Sequence, residues 1–376
     1  MAGEEVNVGL LGCGFMGKAH SFGYRNVNEI WSPPRKAVMK CIAGTEPEEV
    51  VKETAAQHGW DEYATDWKEV VQRDDIDLID LSTPNFAHEE EAIAAANAGK
   101  HILSEKPLTT DLESAKKMWD AVKQNNVLAM CGFTYRQAPA VKMAKEMIES
   151  GELGEIYHFR ANYLQDFIMD PEFPMMWRLR KEQAGSGALG DLGAHITDMA
   201  RFLVGEIEEV SGTLETFIKE RPTGDGGTEE VTVDDAAIWC ARLENGALGK
   251  FEATRFAGGR KNYHTWEVNG SKGSIAWDFE NMNYLKYWKA GEGNRQGFRT
   301  IPATQEEVPG AQGWWPGGHL IGYGECHANQ IRELMKALEK DEQPVPTFED
   351  GVQCQAVLDA VEKSSKTGEW TSVERI

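Results

Sequence analysis

The sequence predicts an α/β protein: an N-terminal doubly wound parallel sheet, then a second α/β domain built on a sheet of alternating strands. Two patterns carry this. Through residue 133, short apolar runs alternate with helical stretches, a βαβ repetition whose right-handed crossovers make neighbouring strands parallel. From Arg136 onward, strand-like runs alternate apolar with polar residues and are joined by Gly/Asn turns. The expected domains are residues 1–134 and 135–376, and a chain of 376 residues has room for two.

Val6 to Leu11 reads as a buried strand ending in glycine. Gly12, Gly14 and Gly17 then give G-x-G-x-x-G, and a helical pattern follows, which is the context a dinucleotide fingerprint requires. The first glycine makes the turn and the second lets backbone approach a pyrophosphate. The third lets helix and strand pack closely, with the helix N-terminus facing the negative charge. Strands follow at 37–44, 77–84, 101–107 and 127–133, with helices at about 47–58, 88–98 and 111–124. A ligand of such a sheet sits at the carboxyl ends of its strands. Ser82, Thr83, Pro84 and Asn85 end one strand there, and Glu105, Lys106 and Pro107 end the next.

The second strand of this fold normally ends in an acid that holds the ribose hydroxyls of NAD. Here it runs into Ala43-Gly44-Thr45-Glu46, so the acid is displaced. In one reading Glu46 reaches the ribose. In the other, Gly44 and Thr45 leave room for a 2′-phosphate, with Lys52 or Arg35 as counter-charge. NAD and NADP both stay open.

In the second domain a helix at 138–150 precedes strands at 154–164, 210–218, 235–243, 248–256, 263–270, 273–279 and 284–290. One face of this sheet is expected to lie on helices. The aromatic WEV, IAW and KYW stretches suggest that its other face is an oligomer contact. Helices at 326–338 and 351–365 close the chain, and the polar stretch 220–230 reads as an insertion or mobile flap.

Residues 185–203, GSGALGDLGAHITDMARFL, set four glycines before a helical apolar stripe of Leu192, Ile196, Met199 and Leu203. The opposite stripe carries Asp191, His195 and Asp198. Interior glycines are poor helix formers, at about 1 kcal/mol each against alanine. The expectation is a loop turning into a helix, its glycines letting backbone approach cofactor and substrate and its polar stripe facing them.

The formal charge of −22 disfavours nucleic acid and anionic lipid as partners, and strongly anionic substrates too unless a basic pocket exists. Six cysteines without a C-x-x-C pair suggest neither a disulfide framework nor structural zinc. His319 and Cys326-His327 fit no standard metal spacing, so no metal is expected. The N-terminus has acidic residues where a signal peptide needs basic ones, and no apolar run is long enough to span a bilayer. A cytoplasmic protein is expected.

The glycine motif, the Glu105-Lys106-Pro107 triplet and the D-x-x-x-H of Asp191 and His195 together resemble the Gfo/Idh/MocA family over nearly the whole chain. GFMGKAHS (14–21), TPN (83–85), YLQD (163–166), WR (177–178), GSGALGD (185–191), EATR (252–255) and IGYGE (321–325) are similar to its bacterial levoglucosan dehydrogenase branch. The resemblance implies a Rossmann domain followed by an α/β domain with an open, mostly antiparallel sheet. It implies NAD(P)-dependent oxidation of a secondary alcohol on a sugar or cyclitol, and a homodimer or homotetramer. To the cofactor it assigns Gly12, Gly14, Phe15, Met16, Gly17, Thr45, Glu46, Ser82, Thr83, Pro84, Asn85, His88, Glu105 and Lys106. To the substrate it assigns Lys106, Tyr135, Tyr163, Gln165, Trp177, Asp191 and His195. Residues around 291–316 look peculiar to this chain, which leaves the substrate open.

Such an oxidation needs a base for the hydroxyl proton while hydride leaves the carbon. His195, with an ordinary pKa of about 6.5, suits that proton traffic. Asp191, four residues earlier, orients the imidazole or binds a substrate hydroxyl. Lys106 hydrogen-bonds the reacting oxygen and favours its alkoxide-like transition state. Tyr163, Gln165 and Trp177 offer hydroxyl partners and a flat platform for a sugar. Two competitors share these residues in whole or part: a redox-neutral glycoside-cleaving enzyme with retained NAD, and a non-catalytic NAD(P)-dependent sensor.

Overall fold

The computed structural model describes residues 5–376, which form two compact units. The first holds residues up to Gln137 together with Ile321–Val352; the second holds Ala138–Leu320 and Gln353–Ile376.

In the first unit six parallel strands stand in the order β3-β2-β1-β4-β5-β6. They are β1 (Glu5–Leu11), β2 (Lys36–Ala43), β3 (Glu62–Ala64), β4 (Leu78–Leu81), β5 (His101–Ser104) and β6 (Ala129–Cys131). The order reverses direction between β1 and β4, the switch point at which open α/β sheets bind ligands. Val6, Val8, Leu10 and Leu11 are buried on both faces of β1, as a strand between helix layers must be. The crossovers are α1 (Phe15–Trp31), α2 (Glu48–His58), α3 (Trp67–Val71), α4 (His88–Asn97) and α5 (Leu112–Asn125). Asp111 caps α5 by accepting from the Ser114 N–H at 2.9 Å. The short β3 and α3 carry too few residues for a periodicity to show, so neither stands out in the sequence.

The second unit is built on nine strands. They are β7 (Ile156–Leu164), β8 (Ile207–Glu215), β11 (Ala236–Leu243), β12 (Leu248–Thr254), β13 (Tyr263–Gly270), β14 (Gly273–Asp278), β15 (Tyr284–Lys289), β16 (Arg299–Pro302) and β17 (Thr371–Ser372). Their order is β16-β15-β14-β13-β7-β12-β11-β8-β17, antiparallel except for the parallel β7–β12 pair. The helices here are α6 (Pro139–Glu149), the short α7 (Lys181–Ala184) and α8 (Ala194–Leu203). Alternation sets the faces: Phe159, Ala161 and Tyr163 of β7 and Trp266 and Val268 of β13 are buried, while His158 and Arg160 are exposed. This corrects the reading of the aromatic stretches. Trp266 and Trp277 stack at 5.9 Å on the buried face, so they supply no apolar patch in water.

Residues 220–230 are a hairpin, not a loose flap: β9 (Glu220–Pro222) pairs antiparallel with β10 (Thr228–Glu230). Arg221 anchors it, fully buried, donating to the carbonyls of Asp170 (2.7 Å) and Ile168. A charged side chain at a buried strand position gave no hydrophobic signal to read.

The chain then returns to the first unit. α9 (Tyr323–Lys340) packs along α1, and its Ile331, Leu334, Met335 and Leu338 join the core of Val6, Val8, Leu10, Tyr24 and Val27. The compact units therefore differ from the expected 1–134 and 135–376, because the apolar face of α9 is buried on the N-terminal sheet layer. α10 (Phe348–Thr367) follows. Among the described residues, no helix is long and apolar enough to cross a membrane.

Candidate active site

In the first unit the expected cofactor residues gather at the carboxyl ends of β1, β2, β4 and β5. Gly12 has φ +113°, and a Cβ there would stand 2.8 Å from the Ser82 carbonyl, so only glycine fits. At Gly17 a Cβ would overlap the Gly12 carbonyl oxygen. Gly14 differs: its side-chain position meets no atom within 4 Å and opens onto free space. It precedes α1, whose N-terminus has no side-chain cap and no acid in its first turn. These features fit a pyrophosphate, which needs close backbone approach and undirected N–H groups.

Phe15 is exposed and stacks on Tyr323 at 6.0 Å; the Tyr323 hydroxyl lies 3.7 Å from the Met16 sulfur. The Glu46 carboxylate folds against Gly44 and Cys13, and burial, with Glu46 adding, pushes the Cys13 thiol up to about 12. Thr45 precedes it. Of the two counter-charges considered for a 2′-phosphate, Arg35 donates to the Leu338 carbonyl (3.1 Å) and Lys52 pairs with Glu49 (3.7 Å).

Ser82 ties the turn by donating to the Leu11 carbonyl at 2.9 Å. Thr83 donates to Glu91 at 2.6 Å, and burial lifts the Glu91 carboxyl to about 7. Pro84 precedes the single helical turn Asn85–Ala87. His88 is fully buried, its Nδ1 3.0 Å from the Leu108 carbonyl and its Nε2 2.9 Å from the Thr83 carbonyl. Its ring braces the turns after β4 and β5, which corrects the expectation that it contacts the cofactor directly. Glu105 is buried too, its Oε1 3.1 Å from His20 Nε2. Lys106 beside it is half-buried. Tyr135 is buried in the short helix Thr134–Gln137.

In the second unit the stretch 185–203 resolves into a π-helix, Leu189–Gly193, continuous with α8. Such a turn re-aims side chains and recurs at functional sites. Gly185 has φ +79°. A Cβ on Gly187 would overlap the Asp234 carbonyl oxygen, and one on Gly193 would stand 3.2 Å from Trp239. These two glycines thus serve packing within the unit rather than the close approach to ligands expected of them. The Asp234 carboxylate accepts from the Gly187 and Leu189 N–H groups at 2.7 and 2.8 Å, fixing where the π-helix starts.

Asp191, within that turn, accepts from Arg255 Nη2 at 2.9 Å. His195 opens the second turn's worth of polar face, with its ring 5.6 Å from Tyr163 and 6.2 Å from His264. Tyr163 stacks on His264 at 4.9 Å, and burial drops His264 to about 3, leaving it neutral. Asn262 Oδ1 accepts from both Tyr163 Oη (2.6 Å) and Gln165 Nε2 (2.9 Å). The Arg178 guanidinium lies over the Trp177 ring at 4.2 Å. Burial holds Arg178 below its usual range, with Asp191 working against the shift and Arg255 for it. Tyr163, Gln165, Trp177, Asp191 and His195 all lie in the second unit, but Trp177 packs in the cluster of Ile168, Leu179, Ala184, Val231 and Val233, to which the other four do not belong. The structure adds His264, Asn262, Arg178 and Arg255, which sequence reasoning did not assign. Arg178 and Arg255 lay in the WR and EATR stretches; His264 and Asn262 gave no signal of their own.

Comparison with known proteins gives the family. Residues 6–133 match the model of the oxidoreductase family with an NAD-binding Rossmann fold, and residues 141–276 match the GFO/IDH/MocA C-terminal domain. The chain is 42% identical to levoglucosan dehydrogenase of Pseudarthrobacter phenanthrenivorans, covering 99% of each. A solved structure of levoglucosan dehydrogenase with NADH and levoglucosan superposes with a TM-score of 0.96 at 43% identity, over 99% of this chain and 100% of that one. An oxidoreductase domain protein from Kribbella flavida gives 0.95 at 46% identity, again over 99% and 100%.

Proposed function

Because the chain belongs to the Gfo/Idh/MocA family of NAD-binding oxidoreductases, we propose that it oxidises one ring secondary hydroxyl of an anhydrosugar of the levoglucosan type to a ketone, with NAD as acceptor. The observations that carry this reading lie in the second unit: the Asp191 carboxylate held by Arg255, and the His195 ring against Tyr163, whose hydroxyl shares Asn262 with Gln165. Hydroxyl donors and acceptors beside an aromatic face are what a neutral sugar ring requires. The 42% identity to a levoglucosan dehydrogenase supports the substrate class.

When bound, the nicotinamide accepts the hydride. Lys106 hydrogen-bonds the reacting oxygen and stabilises the charge it gathers as the proton leaves. His195 takes that proton, and Asp191 orients the substrate hydroxyl or the imidazole. The hydroxyl proton ends on His195, so the enzyme holds one proton when the ketone has formed. Glu46, three residues beyond β2, favours the ribose hydroxyls of NAD and repels a 2′-phosphate. Arg35 is held at the Leu338 carbonyl, which supports the same choice, whereas Lys52 makes only an exposed 3.7 Å pair with Glu49.

The test is the pair Lys106→Ala and His195→Ala. Each is expected to lower turnover by about 100-fold or more, the scale of lost acid–base help, with the fold intact by circular dichroism. Near-normal turnover in both would remove this assignment.

A further inference from the structure

Asn262 gave no signal in the sequence, yet it is the point at which two of the expected sugar contacts meet. Strands β7 and β13 pair antiparallel, with Tyr163 opposite His264 and Leu164 opposite Tyr263. Gln165 and Asn262 stand one step beyond, where both strands end. There the Asn262 Oδ1 accepts from Tyr163 Oη at 2.6 Å and from Gln165 Nε2 at 2.9 Å. The loop that carries Asn262 is itself tied down. The Ala257 N–H donates to the Gln165 carbonyl at 2.9 Å. Asp166 accepts from the Gly259 N–H at 3.0 Å and from the Lys261 ammonium at 2.8 Å. The Asn262 N–H donates to Glu280 Oε1 at 3.1 Å, from the short helical turn Phe279–Asn281.

The direction of the two side-chain bonds decides what Tyr163 and Gln165 offer to a ligand. A phenol and a carboxamide can each donate or accept, so alone neither has a fixed sense. An amide oxygen has two lone pairs, and here Tyr163 takes one and Gln165 the other. The single hydroxyl proton of Tyr163 is committed to Asn262, so toward any other partner Oη accepts. Gln165 turns its nitrogen to Asn262, which makes Oε1 the accepting end on its other side. The Tyr163 ring lies 5.6 Å from that of His195, which ties this arrangement to the expected base.

We propose that Asn262 is a positioning residue that sets sugar specificity: by accepting from Tyr163 and Gln165 at once, it makes both of them acceptors toward the substrate, so that the ring is recognised through hydroxyls that donate. The proposal rests on the reading above, in which Tyr163 and Gln165 face the sugar. Asn262 acts through those two side chains.

The test compares Asn262→Ala, Asn262→Asp, Gln165→Ala and the double variant Asn262→Ala/Gln165→Ala in kcat, KM for levoglucosan, KM for NAD and thermal midpoint. Asn262→Ala is expected to raise KM for the sugar about 10-fold, the worth of one or two neutral hydrogen bonds. Its kcat and KM for NAD are expected to change less than about 3-fold, since contacts away from the reacting carbon serve ground and transition states alike. Asn262→Asp keeps an oxygen for both donors and is expected to stay within about 3-fold of the wild-type KM. In the double variant the losses are expected to overlap, KM rising less than the product of the single effects, because Asn262 acts through Gln165. With the unaltered protein, a levoglucosan analogue bearing fluorine at a recognised hydroxyl, which cannot donate, is expected to lose as much as the deoxy analogue. An unchanged KM in Asn262→Ala, losses that multiply in the double variant, or a fluoro analogue as good as levoglucosan where the deoxy analogue fails would overturn the proposal. If Asn262→Ala does not fold, Asn262→Asp still decides: a KM raised about 10-fold at an unchanged thermal midpoint would overturn the acceptor role. Gln165→Ala with an unchanged KM for the sugar is a separate result: it would remove the sugar contact of Gln165 itself, and this role with it. Absence of turnover with every sugar would remove the function on which both rest.

Discussion

Gly187 lies directly under the main chain of Asp234, whose carbonyl oxygen occupies the space a Cβ would need. The carboxylate of the same Asp234 takes the N–H groups of Gly187 and Leu189. One residue thus both forbids a side chain at 187 and fixes the start of the π-helix that carries Asp191. Gly187→Ala forces backbone apart. It is expected to destabilise the protein by about 2–3 kcal/mol, as overpacking does, and to disturb Asp191. Chemical denaturation and turnover of the same sample check both; an unchanged denaturation midpoint would contradict the contact.

The Asp191–Arg255 pair is the next test. Arg255 is almost fully buried, and Nη2 reaches Asp191 at 2.9 Å. Arg255→Met keeps the bulk and removes the guanidinium. The Asp191 carboxylate left behind is 29% exposed and can be hydrated, so the loss is expected to be about 1–3 kcal/mol. Turnover is expected to fall with stability, because Asp191 is no longer held. A variant with full kcat would show that Arg255 serves only the fold.

Glu91 gives a pH dependence. Its carboxyl is lifted by burial from the usual 4.5 to about 7, so the folded chain holds this proton more tightly than the unfolded one. The stability it contributes is present below pH 4.5 and is lost as pH rises through about 7. Glu91→Gln keeps an oxygen for the Thr83 hydroxyl and has no charge to bury. The variant is expected to gain on wild type as pH rises from 5 to 8, by up to about 3 kcal/mol. Thermal midpoints at both pH values read this directly, and a constant difference would contradict it.

Cofactor choice is tested at Glu46. Replacing it by serine removes the charge that repels a 2′-phosphate. Glu46→Ser is expected to raise kcat/KM with NADP relative to NAD by about 10-fold, the value of one unfavourable charge contact. An unchanged ratio would place cofactor choice elsewhere.

Much of this was legible in the sequence because it is local. The turn at Gly12, Gly14 and Gly17 sits between a strand and a helix that both announce themselves by pattern. The Glu105-Lys106-Pro107 triplet ends a recognisable strand. The alternation of Phe159, Ala161 and Tyr163 marks an inward face. What stayed hidden joins residues far apart in the chain. His20 lies in a stretch noted for its resemblance, but nothing local reveals that Asp80 and Glu105 close on it. The return of α9 to α1 depends on packing of two helices three hundred residues apart. The π-helix at Leu189–Gly193 lies where Gly190 and Gly193 read as a loop, because their poor helix propensity is offset by packing and by the Asp234 carboxylate rather than by anything local. Arg221 shows the same limit, a buried charge satisfied by backbone carbonyls that no hydropathy pattern foresees.

The most direct measurement is the absorbance of reduced nicotinamide when the purified protein is mixed with NAD and levoglucosan, with glucose, simple glucosides and inositol isomers run in parallel and NADP in a second series. Growth of the reduced band with NAD and the anhydrosugar, faster than with the other sugars or with NADP, is the expected result. No net reduction with any sugar, while nucleotide stays bound through purification, would contradict it and point to redox-neutral chemistry on the same residues.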